Sequence, residues 1–350
     1  MSPTTNTIPT RRTALHRAAA LAAAGLLGLA APMAQAAEAV KLKFSSFEPP
    51  MANITANVLT PFAKDASAAS GGTLQVDMFP GGTLGRNPTQ QLKLVMDGVA
   101  DLAWIVLPYT PGRFDDADVV GLPFVIQNAT EASVALHRLY AGGALVGFDG
   151  LKMLALASTP SVGIHGNAAV RQPADLKGKR VRVSGDHMNR VLESMGAAPV
   201  LVGGGQIAES LSRGVIDHTL NNWDFVGSFK VDQVSTQHFE VPLGAIAVGI
   251  VMRQDKFDSL PPAARAALDK LSGEALARRI GEAFDRQEVV VRERVAKSGK
   301  NTVVTPSAAE LEIWRKQVAP VNDAWRAAKP RNERTHKAFV EQLQRIRAGK

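Results

Sequence analysis

The fold is decided by residues 180–202, which read RVRVSGDHMNRVLESMGAAPVLV. Their apolar pattern predicts a strand over 180–183, a helix over 184–196 and a second strand over 198–202. A strand, a helix and a strand in this order predict a parallel pair of strands with a helix packed across it. We therefore expect a protein of the α/β class.

The same alternation occurs in the first half of the chain. Short apolar runs predict strands over residues 40–44, 74–79 and 101–107. Between them, Asn53 is expected to cap one helix, and Asn87-Pro88 to begin another. Together the two units predict mostly parallel sheets. Because no flexible linker separates the units, we expect two lobes joined by several crossings of the chain.

The second unit continues into a helical C-terminal part. A helix is predicted over 206–213 after three glycines, and a strand over 215–220. Farther on, Ser307 begins a capping box, and Pro320 is expected to kink or break the terminal helical stretch. The predicted division of the chain is lobe I from 37–159 plus 246–287 and lobe II from 160–245 plus 288–350.

The first 36 residues are typical of a signal peptide. Arginines precede an apolar stretch over 18–31, and Ala34-Gln35-Ala36 provides small residues for cleavage before Ala37. The apolar stretch is shorter than the roughly 20 residues that a bilayer-spanning helix needs. We therefore expect an exported protein that is not itself embedded in the membrane. The export route, Sec or twin-arginine, stays open.

Composition and motifs exclude several functions. The 350 residues include no cysteine, which removes disulfides, cysteine nucleophiles and cysteine-ligated metals. The net charge is +8, but the basic run at 177–182 is short and lacks interleaved aromatic residues, so no nucleic-acid partner is expected. The common hydrolase, zinc-protease and phosphate-loop motifs are absent. We therefore predict no enzyme and no cofactor, and expect a ligand cleft between the lobes.

An ordered series of motifs resembles one family. PADLKGKRVRV at 173–183 is similar to the D-L-K-G-x-K-x-R-V block of solute-binding subunits of tripartite ATP-independent periplasmic (TRAP) transporters. FPGGTLG at 79–85, MGAAPV at 195–200 and LSRGVID at 211–217 resemble further motifs of that family. The resemblance spans most of residues 40–275. It implies an α/β, two-lobed periplasmic binding protein fold with long connecting and C-terminal helices, whose cleft closes on an organic anion.

The resemblance also implies which residues bind the ligand. An arginine at the position of Arg182 pairs with the carboxylate, and its planar fork suits that role. Arg180 is expected to lie at the surface. Asn221 falls where the family often places a polar ligand contact. Trp223 and Phe225 follow it and either form a wall of the pocket or pack in the core.

Three further candidates lie in loops that are expected to face the cleft. Phe47 follows the first strand, and Tyr109 follows the strand predicted over 101–107. Arg113 lies close to Tyr109 and either reaches the ligand or pairs with Asp115 or Asp116.

The sequence departs from the family pattern at three places, and two of these departures narrow the ligand class. His218 replaces a usual glycine, with a consequence that stays open. No acidic residue lies between His218 and Trp223, where some family members hold a metal, so no metal site is predicted. The stretch 160–163 lacks the second arginine of sialic-acid binders, and the apolar residues 105–107 replace a polar wall. A pocket less polar than that for a sugar acid is therefore expected.

These observations predict a periplasmic solute-binding protein that captures a small organic monocarboxylate. A 2-oxo, a 2-hydroxy or an aromatic acid is among the candidates. The expected partners are the small and large TRAP membrane subunits, and the expected state is a monomer. The alternatives are a periplasmic hydrolase-like enzyme with a spatially assembled His–Asp pair, or a binding protein of an ABC transporter or a sensor.

Overall fold

The computed structural model describes residue 1, residues 3–4 and residues 38–350. The predicted signal peptide therefore lies almost entirely outside the described residues. Residues 39–350 form one unit, and the account that follows concerns this unit.

Two sheets organise the described residues. Their orders are β2-β1-β3-β10-β4 and β11-β9-β5-β8-β6-β7. The strands are β1 (Val40–Ser45), β2 (Leu74–Phe79), β3 (Leu102–Val106), β4 (Leu151–Ser158), β5 (Gly163–Gly166), β6 (Arg180–Val183), β7 (Ala198–Leu201), β8 (His218–Asn221), β9 (Gln237–Phe239), β10 (Ala247–Arg253) and β11 (Thr302–Val304).

Helices cover both sheets. A π-helical turn, Thr55–Leu59, leads into the first of them. The helices are α1 (Thr60–Ala69), α2 (Gln91–Met96), α3 (Ala129–Ala141), α4 (Asp186–Glu193), α5 (Ile207–Ser212), α6 (Trp223–Ser228), α7 (Gln254–Asp258), α8 (Pro262–Leu271), α9 (Glu274–Ala296), α10 (Ala308–Ala328) and α11 (Pro330–Arg347).

The first sheet and the helices packed on it form the first lobe. Strand β1 runs parallel to β2 and β3, as predicted, but β10 runs antiparallel to both β3 and β4. The prediction of a mostly parallel sheet is therefore wrong here, because the chain returns from the second sheet as β10 between two strands of the first. Alternate residues of β3 point to opposite faces, with Trp104 in one core and Ile105 in the other.

The second sheet and its helices form the second lobe. Strand β6 runs parallel to β7 and β8, and Arg182 is paired with Val200 and Thr219. Strand β5 runs antiparallel to β8 and β9. The parallel strands β6 and β8 thus end at the same edge, which brings the residues after Val183 and Leu220 close together.

The lobes are joined by several crossings, as predicted. The chain passes between the sheets from β4 to β5 and from β9 to β10, and α9 packs against α3, β4 and α6. The predicted division assigned residues 288–350 to lobe II. The structure instead places Phe339 and Leu343 of α11 in the core of the first lobe, because these side chains complete its apolar face. The other boundaries stay predictions.

Of four local predictions, two are confirmed, the helix cap at Asn53 is wrong, and of the two outcomes expected at Pro320 the break does not occur. Asn87 and Ser307 cap their helices as expected. Asn53 lies inside the helical segment, and its side-chain amide donates to the carbonyl oxygen of Ala283 at 3.0 Å. Helix α10 continues through Pro320, because buried side chains on both sides of the proline, among them Trp314 and Trp325, hold the two halves in place.

Candidate functional site

A cavity of about 540 Å³, including its open mouth, lies between the two lobes. Its volume is within the range that small-molecule sites usually have. Both lobes contribute to the lining, and most of the wall is aromatic or aliphatic. Five of the predicted site residues line it: Phe47, Tyr109, Arg182, Asn221 and Phe225.

Arg182 is the cation of the described lining, with 1% of its surface exposed. Its Nε donates to the Val202 carbonyl oxygen at 2.9 Å, and Nη1 donates to the Leu220 carbonyl oxygen at 3.4 Å. Nη2 donates to the Tyr109 hydroxyl at 3.0 Å. These contacts fix the plane of the guanidinium group.

The guanidinium retains donors for a ligand. It has five N–H groups, and three of them donate in the contacts above. One N–H on each terminal nitrogen is left, which is the number that a bidentate carboxylate takes up. Within residues 38–350 no carboxylate forms an ion pair with Arg182. Burial lowers the pKa of this guanidinium from its usual value, and the contact with Tyr109 acts against that shift.

Contacts across the cleft surround Arg182. Tyr109 belongs to the 3₁₀ turn Leu107–Tyr109 after β3, so its hydrogen bond with Arg182 links the two lobes. The Phe225 ring centroid lies 5.7 Å from the Arg182 Cζ, and Phe229 stacks on Phe225 at 4.2 Å. The guanidinium group of Arg182 therefore lies between the Phe225 ring and the Tyr109 hydroxyl.

Asn221 adds an uncharged donor at the end of β8. It is buried, and its side-chain oxygen accepts a hydrogen bond from the Thr219 hydroxyl. This orientation leaves the amide nitrogen to donate. The backbone oxygen of Asn221 contacts His165 Nε2 at 2.9 Å, which fixes the end of the strand.

Two predicted residues are not brought to this cavity. Trp223 lines a neighbouring cavity, and its indole N–H donates to Glu240 Oε1 at 3.0 Å. Arg113 donates to the carbonyl oxygens of Gly147 and Asp149 at 2.9 and 3.2 Å. The alternative partners proposed for Arg113, the two aspartates that follow it, pair with lysine and arginine side chains of the C-terminal part.

The apolar wall predicted over 105–107 is only partly formed by those residues. Val106 lines the cavity, whereas Ile105 packs in the core on the other face of the sheet. The strand alternation instead brings Trp104 to the cavity, where Phe284 of α9 also contributes.

Two acidic residues of the lining were missed. Glu48 and Asp224 are both buried and both face the cavity. Burial raises the pKa of Glu48 to about 7, with the nearby Asp224 adding to the shift. Burial likewise raises the pKa of Asp224 to about 7. The sequence offered one signal for them, because Glu48 follows Phe47 and Asp224 lies between Trp223 and Phe225.

The neighbouring Glu288 supports Asp224 from α9. Its Oε1 accepts the backbone N–H of Asp224 at 2.7 Å. Burial raises the pKa of Glu288 to about 8. The three carboxyl groups thus sit in surroundings that favour their neutral form.

The histidines within residues 38–350 do not gather into a metal site. His165 and His238 approach each other, with 2.8 Å between their Nδ1 atoms, while His218 contacts the carbonyl oxygen of Ala168. In the part of the chain that the structure describes, no group of three or more His, Asp or Glu residues could hold a metal ion.

A second, wider cavity of about 800 Å³ lies beside the start of α4 and α11. It mixes charges of both signs, since Asp115 bonds Lys329 there and Arg190 is exposed. It therefore lacks the buried, oriented guanidinium that distinguishes the interlobe cavity, despite its larger volume.

A two-lobed α/β protein with a desolvated guanidinium in an interlobe cavity is built to capture a small anion. The family model of bacterial extracellular solute-binding protein, family 7, matches residues 44–328. The protein belongs to this family. The predicted TRAP resemblance, fold class and class of function are thereby confirmed.

Individual relatives agree with this assignment. The C4-dicarboxylate-binding periplasmic protein DctP of Rhodobacter capsulatus is 23% identical over 87% of this chain and 92% of its own length. A TRAP solute-binding protein from Rhodoferax ferrireducens T118, solved with benzoate, is 28% identical with a TM-score of 0.83, covering 87% of this chain and 98% of that one.

A marine metagenome TRAP solute-binding protein specific for aromatic acid ligands, solved with 3-hydroxybenzoate, is also 28% identical. Its TM-score is 0.82, and the match covers 88% of this chain and 98% of that one. These homologues are solute-binding proteins. None of the helices within residues 38–350 is long and apolar enough to cross a membrane.

Proposed function

We propose that this protein binds a small organic monocarboxylate in the interlobe cavity and delivers it to the membrane subunits of a TRAP-type transporter. The observation that carries the proposal is the buried Arg182, whose fork keeps one N–H on each terminal nitrogen. A carboxylate drawn between the lobes loses its water and needs a compensating cation. Arg182 supplies that cation with matching geometry.

The cavity favours one carboxylate over two. Arg182 is the one cationic residue among those described residues that line it. A second carboxylate of a ligand would meet no cation in this lining to compensate its charge, which is unfavourable for a desolvated anion. We therefore propose a monocarboxylate.

The body of the ligand is proposed to be apolar or aromatic. Phe47, Trp104, Phe225 and Phe284 provide the wall, and burial of apolar surface gains about 25 cal/mol per Å². The relatives solved with benzoate and with 3-hydroxybenzoate support this choice.

The proposed mechanism is a two-state clamp. Open and closed arrangements of the lobes exchange, and a ligand that contacts Arg182 together with the opposite lobe stabilises the closed one. The Tyr109–Arg182 hydrogen bond, which joins the two lobes directly, also favours the closed arrangement. Catalysis, a metal ion and other cofactors are not part of the proposal.

The proposed location is the periplasm, after removal of residues 1–36. The family description is of extracellular proteins, and a relative is named as periplasmic. N-terminal sequencing of the exported protein is expected to begin at or near Ala37. Recovery of exported protein that retains Met1 would contradict this part of the proposal.

The test of ligand class is titration calorimetry on protein that has been unfolded, dialysed and refolded to remove bound acids. Benzoate, mandelate and pyruvate are expected to include a binder, with succinate and glucuronate weaker. Addition of a chelator is expected to leave affinity unchanged. The proposal fails if none of the monocarboxylates binds, or if binding is the same in Arg182→Ala as in the wild type.

A further inference from the structure

The interlobe cavity has an acidic part as well as a cationic one. Glu48 comes from the loop after β1 and Asp224 from the first turn of α6, so the two lobes contribute one carboxyl each. Within residues 38–350, neither forms an ion pair with Arg182. The cation and the two acids are therefore separate features of the cavity wall.

Glu48 is held in a fixed orientation. Its Oε1 accepts the indole N–H of Trp104 at 2.9 Å, and its Oε2 accepts the Thr55 hydroxyl at 3.2 Å. Its own backbone N–H donates to Ser46 Oγ at 3.2 Å. A side chain fixed in this way loses little freedom when it binds a ligand.

Asp224 has a buried atom that the protein does not satisfy. Only 5% of the residue is exposed. A hydrogen bond from the Asn53 side chain partly offsets the rise in the pKa of this carboxyl, but within residues 38–350 the Oδ1 atom itself has no hydrogen-bond partner. Its backbone N–H is occupied by Glu288, so the position of the residue is fixed. Buried polar atoms are almost always paired, which points to a partner that enters the cavity.

The state of these carboxyls matters for an anionic ligand. Two ionised acids would repel the carboxylate that Arg182 attracts. Burial raises the pKa of both Glu48 and Asp224 to about 7. A neutral carboxyl can both donate and accept a hydrogen bond. A ligand hydroxyl can also do both and carries no charge, so it can pair with such a carboxyl in either direction.

We propose that Glu48 and Asp224 form a hydroxyl-binding subsite, so that the preferred ligand is a hydroxy-substituted monocarboxylic acid. The carboxylate of this ligand binds Arg182, and its hydroxyl pairs with Asp224 Oδ1 and the Glu48 carboxyl. This inference rests on the proposed function. A site built to bind a hydroxyl rejects the analogue that lacks it, because its own polar groups are then left unpaired.

The test compares matched acids by titration calorimetry on the wild type. The pairs are benzoate with its 2-, 3- and 4-hydroxy derivatives, and phenylacetate with mandelate. At least one hydroxy acid is expected to bind about 10- to 100-fold more tightly than its parent. A 3-(aminomethyl)benzoate arm tests an ammonium group, and its tighter binding would overturn the hydroxyl assignment.

Variants locate the subsite. In Asp224→Ala the preference for the hydroxy acid, measured as the ratio of the two affinities within the same variant, is expected to fall to within about threefold. Asp224→Asn and Glu48→Gln keep uncharged donors and acceptors, so most of the preference is expected to remain. Asp232→Asn, the same change outside the cavity in the same lobe, is the matched control.

The outcomes separate the subsite from the proposed function. Arg182-dependent binding of acids without any hydroxyl preference would overturn the subsite alone. Failure of every acid to bind would overturn the proposed function. If Asp224→Ala does not fold, the wild-type ratios and Asp224→Asn still decide, because a wild-type ratio near one contradicts the subsite.

Discussion

The two ends of β6 carry two arginines in different surroundings. Arg180 begins the strand at the surface, and its fork binds Asp217 with Nη2 to Oδ1 at 2.8 Å and Nε to Oδ2 at 3.2 Å. Arg182 is buried near the other end and donates to two backbone carbonyls and a phenol. One arginine has its carboxylate within the protein, and the other keeps donors for a carboxylate from outside.

The comparison shows that the role of an arginine depends on how deeply it is buried and on which groups it bonds. The residue type and the neighbouring sequence do not decide it. Both side chains come from the same strand two residues apart and therefore point to the same side of the sheet. An exposed ion pair contributes little because water and salt screen it. A desolvated guanidinium in a cavity is compensated far less by water, which is why we assign the proposed ligand carboxylate to Arg182.

The largest expected effect is that of Arg182→Ala on ligand binding. Loss of one partner of a desolvated charge pair costs about 2–5 kcal/mol, or roughly 30-fold to several-thousand-fold in affinity. Arg182→Lys keeps the charge but loses the fork, so it is expected to be intermediate. Calorimetry with benzoate or the best-binding acid measures both. Wild-type affinity in Arg182→Ala would remove the anchor from the proposal.

The second prediction concerns how stability against unfolding changes with pH in the two regions, the buried surroundings of the cavity and the exposed Arg180–Asp217 pair. The pKa of Glu288 behind the cavity is raised by burial from 4.5 to about 8, so the folded protein keeps a proton that the unfolded chain has lost. The contribution of Glu288 to the stability of the fold is therefore fully present below about pH 4.5. It declines as the pH rises and is lost above about pH 8. For this group the loss is on the order of 5 kcal/mol.

Thermal unfolding between pH 5 and pH 8.5 measures this decline, and Glu288→Gln is expected to reduce it. At the exposed end the sign is opposite, because hydrogen bonds from Arg180 lower the pKa of Asp217, so its small contribution is lost as pH falls. Asp217→Asn is therefore the control that leaves the alkaline decline intact. Equal declines in wild type and Glu288→Gln would contradict the assignment.

A third, smaller effect is expected from Tyr109→Phe. Its hydroxyl accepts an N–H of Arg182 from the opposite lobe, so its loss weakens closure and leaves a buried donor unpaired. We expect a cost of about 0.5–1.5 kcal/mol, or roughly 2- to 12-fold in affinity. Tyr140→Phe is the matched control, since the Tyr140 hydroxyl accepts the backbone N–H of Met153 away from the cavity. An equal loss in both variants would assign the effect to general destabilisation.

What could be predicted from sequence follows from local and ordered signals. The bounds of β2 and β6 come directly from alternation. An ordered motif singled out Arg182, which the structure places in the wall of the interlobe cavity. The sequence could not tell which of Trp223 and Phe225 faces the cavity and which packs elsewhere. Two residues apart on a helix they lie on nearly opposite sides, and only the packing of α6 decides which of them faces the cavity.

The acids could not be predicted for a related reason. Glu48 and Asp224 stand in different lobes and are buried only because the fold closes over them. In sequence a carboxylate in a loop is typical of solvent exposure. Arg113 was assigned to the site by its neighbourhood, yet its fork is filled by two backbone carbonyls, and such acceptors have no sequence signature.

The smallest expected effect is that of Arg180→Ala, and it tests the comparison from its other end. The Arg180 and Asp217 side chains are 47% and 32% exposed, so their ion pair is expected to contribute at most about 1 kcal/mol to stability. Ligand affinity is expected to change by less than about twofold, because the charge is screened and lies outside the cavity. Calorimetry and thermal unfolding on the same preparation measure the two quantities separately. If Arg180→Ala lost binding while Arg182→Ala kept it, the roles assigned to the two ends of β6 would be reversed, and the anion would have to bind at the surface, not between the lobes.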